Sequence, residues 1–547
     1  MIPQLKVVNS SFFGREDALR SISKRVESFE QGYRQNIAIL GYPLIGKTSL
    51  IQQYLDLNPS EIIQPIYIDL KPQTIDSFIE QFIRILLFRH LSQEHYAGPN
   101  EGVAILIERA RNILPSTCKT AEGVLKLLEK KNHEAAFKLV FDITTQYHLE
   151  SGKKCLVILD EFQQFEYFSI KQIYKIFGKQ IMVQKNTMYI VLSSQPDVCK
   201  QILTTKLSLL FGNFECIELN SLQCNTVHRF VERKMGPTAL PLSLMKYLIS
   251  LTDGHPFYIS AICDALKVII ERETAPTVTT TIVMEALQDT FYEHNGVLNQ
   301  HFIHQIHQWN GSGARGNYLT LLMRIATGHT KLKLLSKDIR KTLAETTAQL
   351  NKLIAADVLV LDGGFYCFTN PVLKWWFKTV YLNRELSLLV DTDSKRAHFF
   401  SVIEKELHAE QIFHSNTVEQ CVADLFGSFS NEIIEIDAKG KRMPAFDSIE
   451  VRDLPSGSKC IVATNQKSQW ICQISQEPIT EESVMRFATE KIVENQKKAQ
   501  KIIIAMDDIQ GNAVLLAKNK RIWPMGLSKV NRLFGLYGHP KLIHLSK

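Results

Sequence analysis

Short runs of apolar residues recur between residues 35 and 222, and each run ends in polar residues or in glycine and proline. Segments with apolar residues at helical spacing separate these runs. Strands that are apolar throughout and alternate with helices are typical of a parallel sheet covered on both faces. Ligands of such sheets bind at the carboxyl ends of the strands. The pattern therefore predicts an α/β core with strands at residues 36–40, 62–70, 155–160, 188–193 and 215–219.

The spacing of apolar positions becomes helical from residue 225 to about residue 309. Glycine and proline interrupt it at residues 236–237, 254–256 and 275–276. A stretch of glycine and small polar residues at 310–316 then predicts a hinge. Three short helices followed by a hairpin are typical of a winged helix-turn-helix, and they are predicted at residues 318–326, 336–343, 346–356 and 358–368.

The last region of the chain returns to a mixed pattern. Helices are predicted at residues 399–426 and 481–500, and strands near Ile433, Ile449, Cys460, Trp470 and Lys501. The predicted fold class is α/β, with a parallel-sheet core and a helical lid, then a winged helix and a second α/β domain. The predicted domains are a core at 1–222, a helical lid at 223–310, a winged helix-turn-helix at 316–390 and a C-terminal α/β domain at 395–547.

Composition narrows the class of protein only slightly. The chain has 547 residues, 45% of them hydrophobic and 22% charged, and its net charge of +7 permits nucleic-acid contact without requiring it. The ten cysteines are scattered without a CxxC pair, which indicates buried, reduced thiols rather than a zinc site. No apolar run approaches the roughly 20 residues that span a bilayer. We therefore expect a cytoplasmic protein without membrane contact.

The most specific motif is GxxxxGK[ST], which residues 41–48 match in full. It follows the predicted strand at 36–40 and leads into a helical run, the context in which a P-loop binds phosphate. Lys47 is expected to reach the β- and γ-phosphates of ATP, and the Thr48 hydroxyl to ligate Mg²⁺. The residues predicted to bind the nucleotide are Gly41, Tyr42, Pro43, Leu44, Ile45, Gly46, Lys47, Thr48 and Ser49.

Two further strand ends carry candidate catalytic residues. The apolar run 156–159 ends in Asp160 and Glu161, and two adjacent carboxylates at the end of a buried strand repel each other unless they serve a purpose. Asp160 is expected to hold Mg²⁺, and Glu161 to orient or deprotonate the attacking water. The next run ends in Ser193 and Ser194, either of which could sense the γ-phosphate; a plain loop cap is the alternative.

These motifs together resemble the archaeal-type ATPase family within the STAND/AAA-related group of P-loop proteins. The likeness extends over residues 8–270 and includes an FxGRE-like segment at 12–16 and a GxP-like segment at 252–257. The resemblance implies that Phe13 and Arg15 lie on the adenine side of the site and that Pro256 begins a lid helix. It also implies a winged helix and a restriction-endonuclease-like domain after the ATPase core.

The chain departs from this family at two points. Relatives carry an arginine before the last core strand, where this chain has Asn213, so turnover is expected to be slow unless Arg229 or Arg233 substitutes. An active nuclease would need Glu-x-Lys where this chain has Asn465-Gln466-Lys467, and we therefore expect the nuclease-like domain to be inactive. Glu419 and Asp447 are the remaining candidates for its metal site.

Three functions remain open at this stage. The first is a slow Mg²⁺-dependent ATPase that acts as a nucleotide-driven switch on DNA, through the winged helix, or on a protein partner. The second is an ATP-binding scaffold with little turnover, and the third is an ATP-gated nuclease. The oligomeric state is open. DNA contact would involve the polar residues of the helix at 346–356 and the basic residues before it, namely Thr346, Thr347, Gln349, Asn351, Lys352, Lys331, Lys333, Lys337, Arg340 and Lys341. Metal binding by His301, His304 and His307 is disfavoured, because their spacing converges only partly.

Overall fold

The computed structural model describes residues 12–71, 73–92, 98, 100–207, 212, 214–310, 318–385, 391–436, 439–453, 459–490 and 499–544. The chain divides into two compact units, Met1–Ser221 and Leu222–Lys547. The predicted hinge at 310–316 lies, apart from its first residue, outside the described residues. Within the described ranges, none of the helices combines the length and apolarity needed to cross a membrane.

The first unit is built on a five-stranded sheet in which every neighbouring pair is parallel and the strand order is β2-β3-β4-β1-β5. This confirms the predicted α/β core and all five predicted strands, to within one residue at each end. The strands are β1 Asn36–Leu40, β2 Ile63–Asp69, β3 Lys154–Asp160, β4 Thr187–Ser193 and β5 Phe214–Glu218. Strands β1 and β4 end together, with Leu40 opposite Ser193, and Asp69 of β2 lies opposite Asp160 of β3.

Alternate residues of each strand enter hydrophobic cores on opposite faces of this sheet. In β1, Ile37 and Ile39 join one core, and Ala38 and Leu40 join the other. Both cores are completed by helices, as the period of two along buried strands requires. The helices of the first unit are α1 Glu16–Glu30, α2 Lys47–Leu57, α3 Ile75–Ser92, α4 Val103–Ala110, α5 Pro115–Glu129, α6 His133–Val140, α7 Asp142–Ser151, α8 Ile173–Val183 and α9 Pro196–Gln201.

The second unit begins with helices and continues with a short hairpin. Helices α10 to α18 and α20 share one core, which contains Leu248, Leu266, Trp376 and Phe399. The predicted helical region at 225–309 is confirmed. The elements of this part are α10 Cys224–Met235, α11 Leu242–Thr252, α12 Pro256–Glu273, α13 Thr280–Leu287, α14 Val297–Asn310, α15 Tyr318–Ala326, α16 Leu332–Asp338, α17 Leu343–Ala355, β6 Leu359–Asp362, β7 Phe365–Phe368, α18 Pro371–Trp376, α19 Leu382–Glu385 and α20 Thr392–Ser415.

The helix predicted at 336–343 was wrong in its position. The structure ends α16 at Asp338, and α17 begins after Thr342. Thr342 and Glu345 form a reciprocal capping box, in which the Thr342 hydroxyl accepts from the Glu345 amide and the Glu345 carboxylate accepts from the Thr342 amide. Such a cap starts a new helix, because it satisfies amides that would otherwise lack partners.

The C-terminal part carries a second, mixed sheet of strand order β10-β11-β12-β13-β14, antiparallel up to β12 and parallel beyond it. Each of the five residues near which a strand was predicted lies in one. The helix predicted at 399–426 is two helices, because Thr417 caps a new one. The elements are α21 Val418–Gly427, β8 Glu432–Ile436, β9 Lys439–Met443, β10 Ser448–Asp453, β11 Lys459–Thr464, β12 Gln469–Ser475, α22 Glu481–Thr489, β13 Ala499–Ala505, α23 Gly511–Asn519, β14 Ile522–Gly526 and α24 Leu527–Leu536.

Candidate nucleotide-binding site

The loop at residues 41–46 has a backbone shape that depends on its two glycines. A Cβ atom on Gly41 would lie 2.8 Å from the carbonyl oxygen of Leu219, closer than real Cβ contacts allow. Gly46 has φ 101° and immediately precedes α2, so it turns the chain into the helix. Leu44 also has a positive φ, 61°. The amide of Gly41 donates to the carbonyl of Ser193, which ties the loop to the end of β4.

Lys47 is the first residue of α2, and only 5% of it is exposed. Its Nζ donates to the carbonyl oxygens of Gly41, at 2.9 Å, and Tyr42, at 3.1 Å. Burial lowers the pKa of Lys47, and the nearby charges of Glu161 and Asp160 oppose that shift. The ammonium group is therefore held inside the loop, on the side of the two carboxylates.

Asp160 ends β3 and is 4% exposed. One carboxylate oxygen, Oδ2, accepts from the Thr48 hydroxyl at 2.6 Å and from the Tyr67 hydroxyl at 2.7 Å. The other, Oδ1, accepts from the amide of Glu161 at 2.9 Å. Burial raises the pKa of Asp160, while the two hydroxyl donors oppose that rise. The predicted magnesium ligands Thr48 and Asp160 are thus brought into direct contact.

Glu161 is connected to the end of β4 by a hydrogen-bond network. Its Oε2 accepts from the Ser194 hydroxyl at 2.5 Å and from the Gln163 amide at 2.5 Å. Gln163 also accepts from the Ser193 hydroxyl at 2.7 Å, and its amide lies 3.2 Å from the Ser194 hydroxyl. Within the part of the chain that the structure describes, Oε1 of Glu161 accepts no hydrogen bond. The Oε2 atom of Glu161 is therefore held in place by the end of β4 and by Gln163.

Two residues of this network were missed by the sequence analysis. Tyr67 lies in β2 and reaches Asp160 from the neighbouring strand. Gln163 lies in the short 3₁₀ helix Phe162–Tyr167, which begins directly after Glu161 at φ 54°. Neither belongs to a motif. The only signal in the sequence was their position, since Tyr67 is three residues before the end of a predicted strand and Gln163 is two residues after the acidic pair.

Asp69 adds a third carboxylate to this edge of the sheet. It pairs with Lys71, whose Nζ lies 2.8 Å from Oδ2, and this partner raises the pKa of Lys71. The charge of Asp69 also acts on Asp160, where it favours protonation. The sequence analysis placed residue 69 inside a strand and assigned no role to it.

The remaining predicted nucleotide-binding residues of the loop and of α2 also lie in the first unit. Ile45 is 3% exposed and belongs to the core beside α1 and α2. Tyr42 and Leu44 are 41% and 45% exposed. Ser49 is the third residue of α2, and Pro43 lies between the exposed Tyr42 and Leu44.

Phe13 and Arg15 precede α1. Phe13 is half-buried. Arg15 has φ 71°, its guanidinium donates to the carbonyl of Asn220, and burial lowers its pKa. This bond ties the start of α1 to the segment that follows β5.

Pro256 is the first residue of α12 and lies in the second unit, as do Arg229 and Arg233 of α10. Any role of these residues at the nucleotide stays a prediction. Asn213, which stands where relatives carry an arginine, lies outside the described residues.

The other candidate metal sites lie in the second unit. Among the described residues, no group of three or more His, Cys, Asp or Glu side chains could hold a metal ion. His301 packs against Phe257, Tyr258 and Phe302, and its Nε2 lies 3.1 Å from the Gln305 amide. His301 therefore packs among aromatic side chains of the second unit, and metal binding at this triplet stays untested.

Asn465, which the sequence analysis weighed as part of a nuclease motif, stabilises a turn between two strands. Its Oδ1 accepts from the amides of Lys467 and Ser468, and its Nδ2 donates to the carbonyl of Ala445 at 2.6 Å. An asparagine that accepts from residues two and three ahead is a common way to close a tight turn. Asn465 thus organises the β11–β12 hairpin.

Comparison with known proteins gives structural likeness only. No protein-family model matches the chain, and no curated protein matches it. A Walker-type ATPase of Pyrococcus abyssi is 16% identical, with a TM-score of 0.47, over 67% of this chain and 96% of that one. The ORC1 protein of Aeropyrum pernix, solved in complex with DNA, is 12% identical, with a TM-score of 0.36, over 67% and 92%.

A third similar structure is the Thermotoga maritima RuvB Holliday junction branch migration motor. It is 12% identical, with a TM-score of 0.34, over 68% of this chain and 96% of that one. Identities and TM-scores this low do not transfer a function. The function of this chain has to be inferred from the geometry of its own P-loop.

Proposed function

We propose that this protein is a Mg²⁺-dependent ATPase with slow turnover that acts as a nucleotide-driven switch. One observation carries the proposal: the Thr48 hydroxyl contacts the buried carboxylate of Asp160, next to a Lys47 ammonium held inside a GxxxxGKT loop. These groups lie at the carboxyl edge of a parallel sheet, where α/β proteins bind ligands. Burying the Asp160 carboxylate and the Lys47 ammonium at this edge costs free energy, and the stability of the fold does not require it.

The chemistry of these residues fits ATP and Mg²⁺. The loop amides and the amino end of α2 suit phosphate oxygens, and Lys47 supplies a positive charge for them. Mg²⁺ prefers oxygen ligands, which the Thr48 hydroxyl and the Asp160 carboxylate offer. When bound, the metal ion would neutralise charge on the phosphates. Because Asp160 accepts from both Thr48 and Tyr67, its carboxylate is held in a fixed orientation.

Glu161 is the proposed general base. Ser194 and Gln163 hold its Oε2, so the carboxylate cannot rotate freely, and Oε1 is left to accept a proton from the attacking water. Ser194 would thus position Glu161 as well as face the γ-phosphate. Gln163 connects Glu161 to Ser193, so that a change at the phosphate would move the end of β4. This connection is the proposed origin of the switch.

An arginine finger stabilises the negative charge of the transition state and is worth about 10³ to 10⁵ in rate. Asn213 cannot supply that positive charge, and slow turnover is proposed for this reason. We expect turnover below the common range of roughly 1 to 10³ per second.

A protein partner is favoured over DNA as the target of the switch. The hairpin β6–β7, which would be the wing, is engaged within its own unit: Asp362 pairs with Arg532, and Gly363 lies against Ile434. Two of the residues predicted to contact DNA are also used internally, since Thr346 is fully buried and Lys331 pairs with Glu432 at 3.0 Å. A wing held in this way is less suited to a DNA groove.

The test of the ATPase proposal compares two glutamates of the same short segment. Glu161→Gln is expected to lower ATP hydrolysis at least about 100-fold while ATP affinity stays within about threefold, because only the base is lost. Glu166→Gln, at an exposed residue paired with Lys206, is the matched control and should leave both unchanged. Undiminished hydrolysis in Glu161→Gln would remove the proposed base.

ATP binding itself is tested with Lys47→Ala. Calorimetry should show affinity for Mg²⁺–ATP in the unaltered chain and its loss in the variant. Whether the switch acts on DNA or on a protein partner is tested by measuring the binding of duplex DNA at several salt concentrations. Tight binding that weakens steeply with salt would favour DNA over a protein partner.

A further inference from the structure

A cavity of about 570 Å³ lies within the second unit. Its walls come from the hairpin β6–β7, from α18 and α24, and from the segment that follows α24. Further lining residues come from the turn at Asp253, between α11 and α12, and from α15 and the segment after it. Cavities of roughly 300 to 1,000 Å³ are the size that small-molecule sites have in proteins. No residue of this cavity belongs to the nucleotide site.

Two ion pairs lie in the lining of the cavity. The guanidinium of Arg532 donates to both oxygens of Asp362. The ammonium of Lys541 pairs with Asp253, and this bond joins the end of the chain to the turn before α12. Each of these two lining cations is therefore matched by a lining carboxylate.

Lys374 is the third cation of the lining, and the two lining carboxylates pair with the other cations. It is mostly buried on α18, and among the residues that the structure describes its side chain has no hydrogen bond and no ion pair. Burial lowers the pKa of Lys374, and the charges of Lys378 and Lys541 act in the same direction. The nearby thiol of Cys367 cannot neutralise it, because burial raises the pKa of Cys367 to about 11.

The rest of the lining is largely apolar or aromatic. Ile325 and Phe368 are buried, and Tyr366 and Tyr537 contribute aromatic rings. Burial raises the pKa of both tyrosines, so neither carries charge at neutral pH. Lys374 is thus an unmatched positive charge in an otherwise balanced and partly aromatic cavity. A partly buried cation without a partner in the fold gains a charge-assisted hydrogen bond when a counter-ion binds.

We propose that this cavity binds a small organic anion, whose single carboxylate or phosphate group pairs with Lys374 and whose aromatic or aliphatic body packs against Phe368 and Tyr366. The proposal does not depend on the proposed ATPase activity. Because Asp253 precedes the helix that begins at Pro256, the ligand would contact the turn between α11 and α12.

The test measures binding of benzoate and of phenyl phosphate to the full chain by calorimetry, with benzyl alcohol as the uncharged analogue. At least one anion is expected to bind with a Kd of about 1 mM or tighter. Lys374→Met should weaken that binding about tenfold or more, because it removes the charge-assisted bond and keeps the apolar stem. Lys378→Met, at an exposed neighbour paired with Glu406, is the matched control and should have no effect.

Phenyl phosphate could also bind the P-loop, so it is measured again in the Lys47→Ala chain. Binding that survives Lys47→Ala and is lost in Lys374→Met supports the cavity. Equal binding of benzyl alcohol, no binding of either anion, or binding that Lys374→Met leaves unchanged would overturn the proposal. Preference for benzoate or for phenyl phosphate identifies the acid group that the cavity takes.

A second measurement needs no variant and so does not depend on the folding of Lys374→Met. Lysine residues of the unaltered chain are acetylated with an amine-reactive ester, and the rate at Lys374 is read by mass spectrometry. Saturating benzoate or phenyl phosphate, whichever binds, should slow acetylation of Lys374 about tenfold or more and leave Lys378 unaffected. Equal rates with and without the anion would contradict the assignment of Lys374.

Discussion

The Asp160 carboxylate is almost entirely shielded from water, and its partners within the fold are two hydroxyls and one amide. Folding raises its pKa, so the folded state binds the proton more tightly than the unfolded chain does. The ionised form therefore destabilises the fold at neutral pH. This penalty grows as pH rises from the ordinary aspartate value through the raised one, and it is absent where both states are protonated.

Asp160→Asn is accordingly expected to stabilise the first unit while abolishing Mg²⁺-dependent hydrolysis. The asparagine Oδ1 can still accept from Thr48 and Tyr67, and no charge is buried, although its Nδ2 cannot accept from the Glu161 amide as the carboxylate does. At pH 7, without nucleotide, we expect Asp160→Asn to unfold at a higher temperature than the unaltered chain, and this gain rests on the raised pKa of Asp160. Thermal unfolding followed across pH measures it, and the gain should vanish at acid pH.

Asp56→Asn, which removes the charge of an exposed aspartate on α2, is the control for this prediction. It should not raise Tm. A lower Tm in Asp160→Asn than in the unaltered chain at pH 7 would show that the carboxylate stabilises the fold.

Gln163 offers a different residue-scale prediction. Because it connects Glu161 with Ser193, Gln163→Ala is expected to lower hydrolysis about tenfold to 100-fold, since a base displaced by about 1 Å loses that much. ATP affinity should change by less than about threefold. Steady-state kinetics separate the two effects. Gln164→Ala, next to it in the same short helix, is the control, and an equal loss there would point to general disruption of the helix.

The sequence identified the members of this site that lie in motifs and missed Tyr67, Asp69 and Gln163, for a physical reason. Lys47, Thr48, Asp160 and Glu161 lie in motifs whose spacing is fixed by the loop and strand that present them. Tyr67 reaches Asp160 across 93 residues of chain, and that contact depends on which strands are neighbours and in which register. Local patterns contain no such information.

At Gly41 the P-loop lies close to Leu219, the residue that follows β5, and this close contact can be tested by a substitution. A methyl group there would lie 2.8 Å from the Leu219 carbonyl and 2.8 Å from the Ile45 side chain. Gly41→Ala is therefore expected to push the loop away from the chain after β5. A loss of about 1–3 kcal/mol in the free energy of unfolding should accompany weaker ATP binding. Urea unfolding and calorimetry measure the two effects.

Gly102→Ala provides the control, because nothing lies within 4 Å of the Cβ that it would add and its φ of −73° suits any residue. It should leave ATP binding unchanged. Unaltered stability and affinity in Gly41→Ala would mean that the loop and the Leu219 segment are not in close contact.

At the level of helices and strands, sequence was most informative where apolar residues run without interruption. The strand β1 is fully buried, so every position is apolar or, in Asn36, bonded to the neighbouring strand. Helix α16 was misplaced because the apolar spacing continues through residues 339–343. The decisive feature there is a Thr342–Glu345 cap and the positive φ of Arg340, which hydrophobic spacing does not reveal.

For the whole molecule, the distribution of hydrophobic cores indicates whether the first unit can fold without the second. The two cores that enclose the five-stranded sheet consist entirely of residues from the first unit. The P-loop, Asp160, Glu161 and Ser194 also lie in that unit. Pro256, which the family resemblance places near the nucleotide, is the predicted site residue that lies in the second unit.

Residues 1–221 expressed alone are therefore expected to fold and to bind Mg²⁺–ATP, because every group that contacts Lys47 and Asp160 in the structure is retained. Circular dichroism should show one cooperative thermal transition, and Lys47→Ala in the fragment should abolish binding. If Pro256 and its helix contribute to the nucleotide site, affinity in the fragment will fall below that of the full chain, and Pro256→Ala in the full chain will reproduce part of that loss. A fragment that fails to unfold cooperatively would show that the sheet needs residues beyond 221, and the nucleotide site would then have to be attributed to the complete chain.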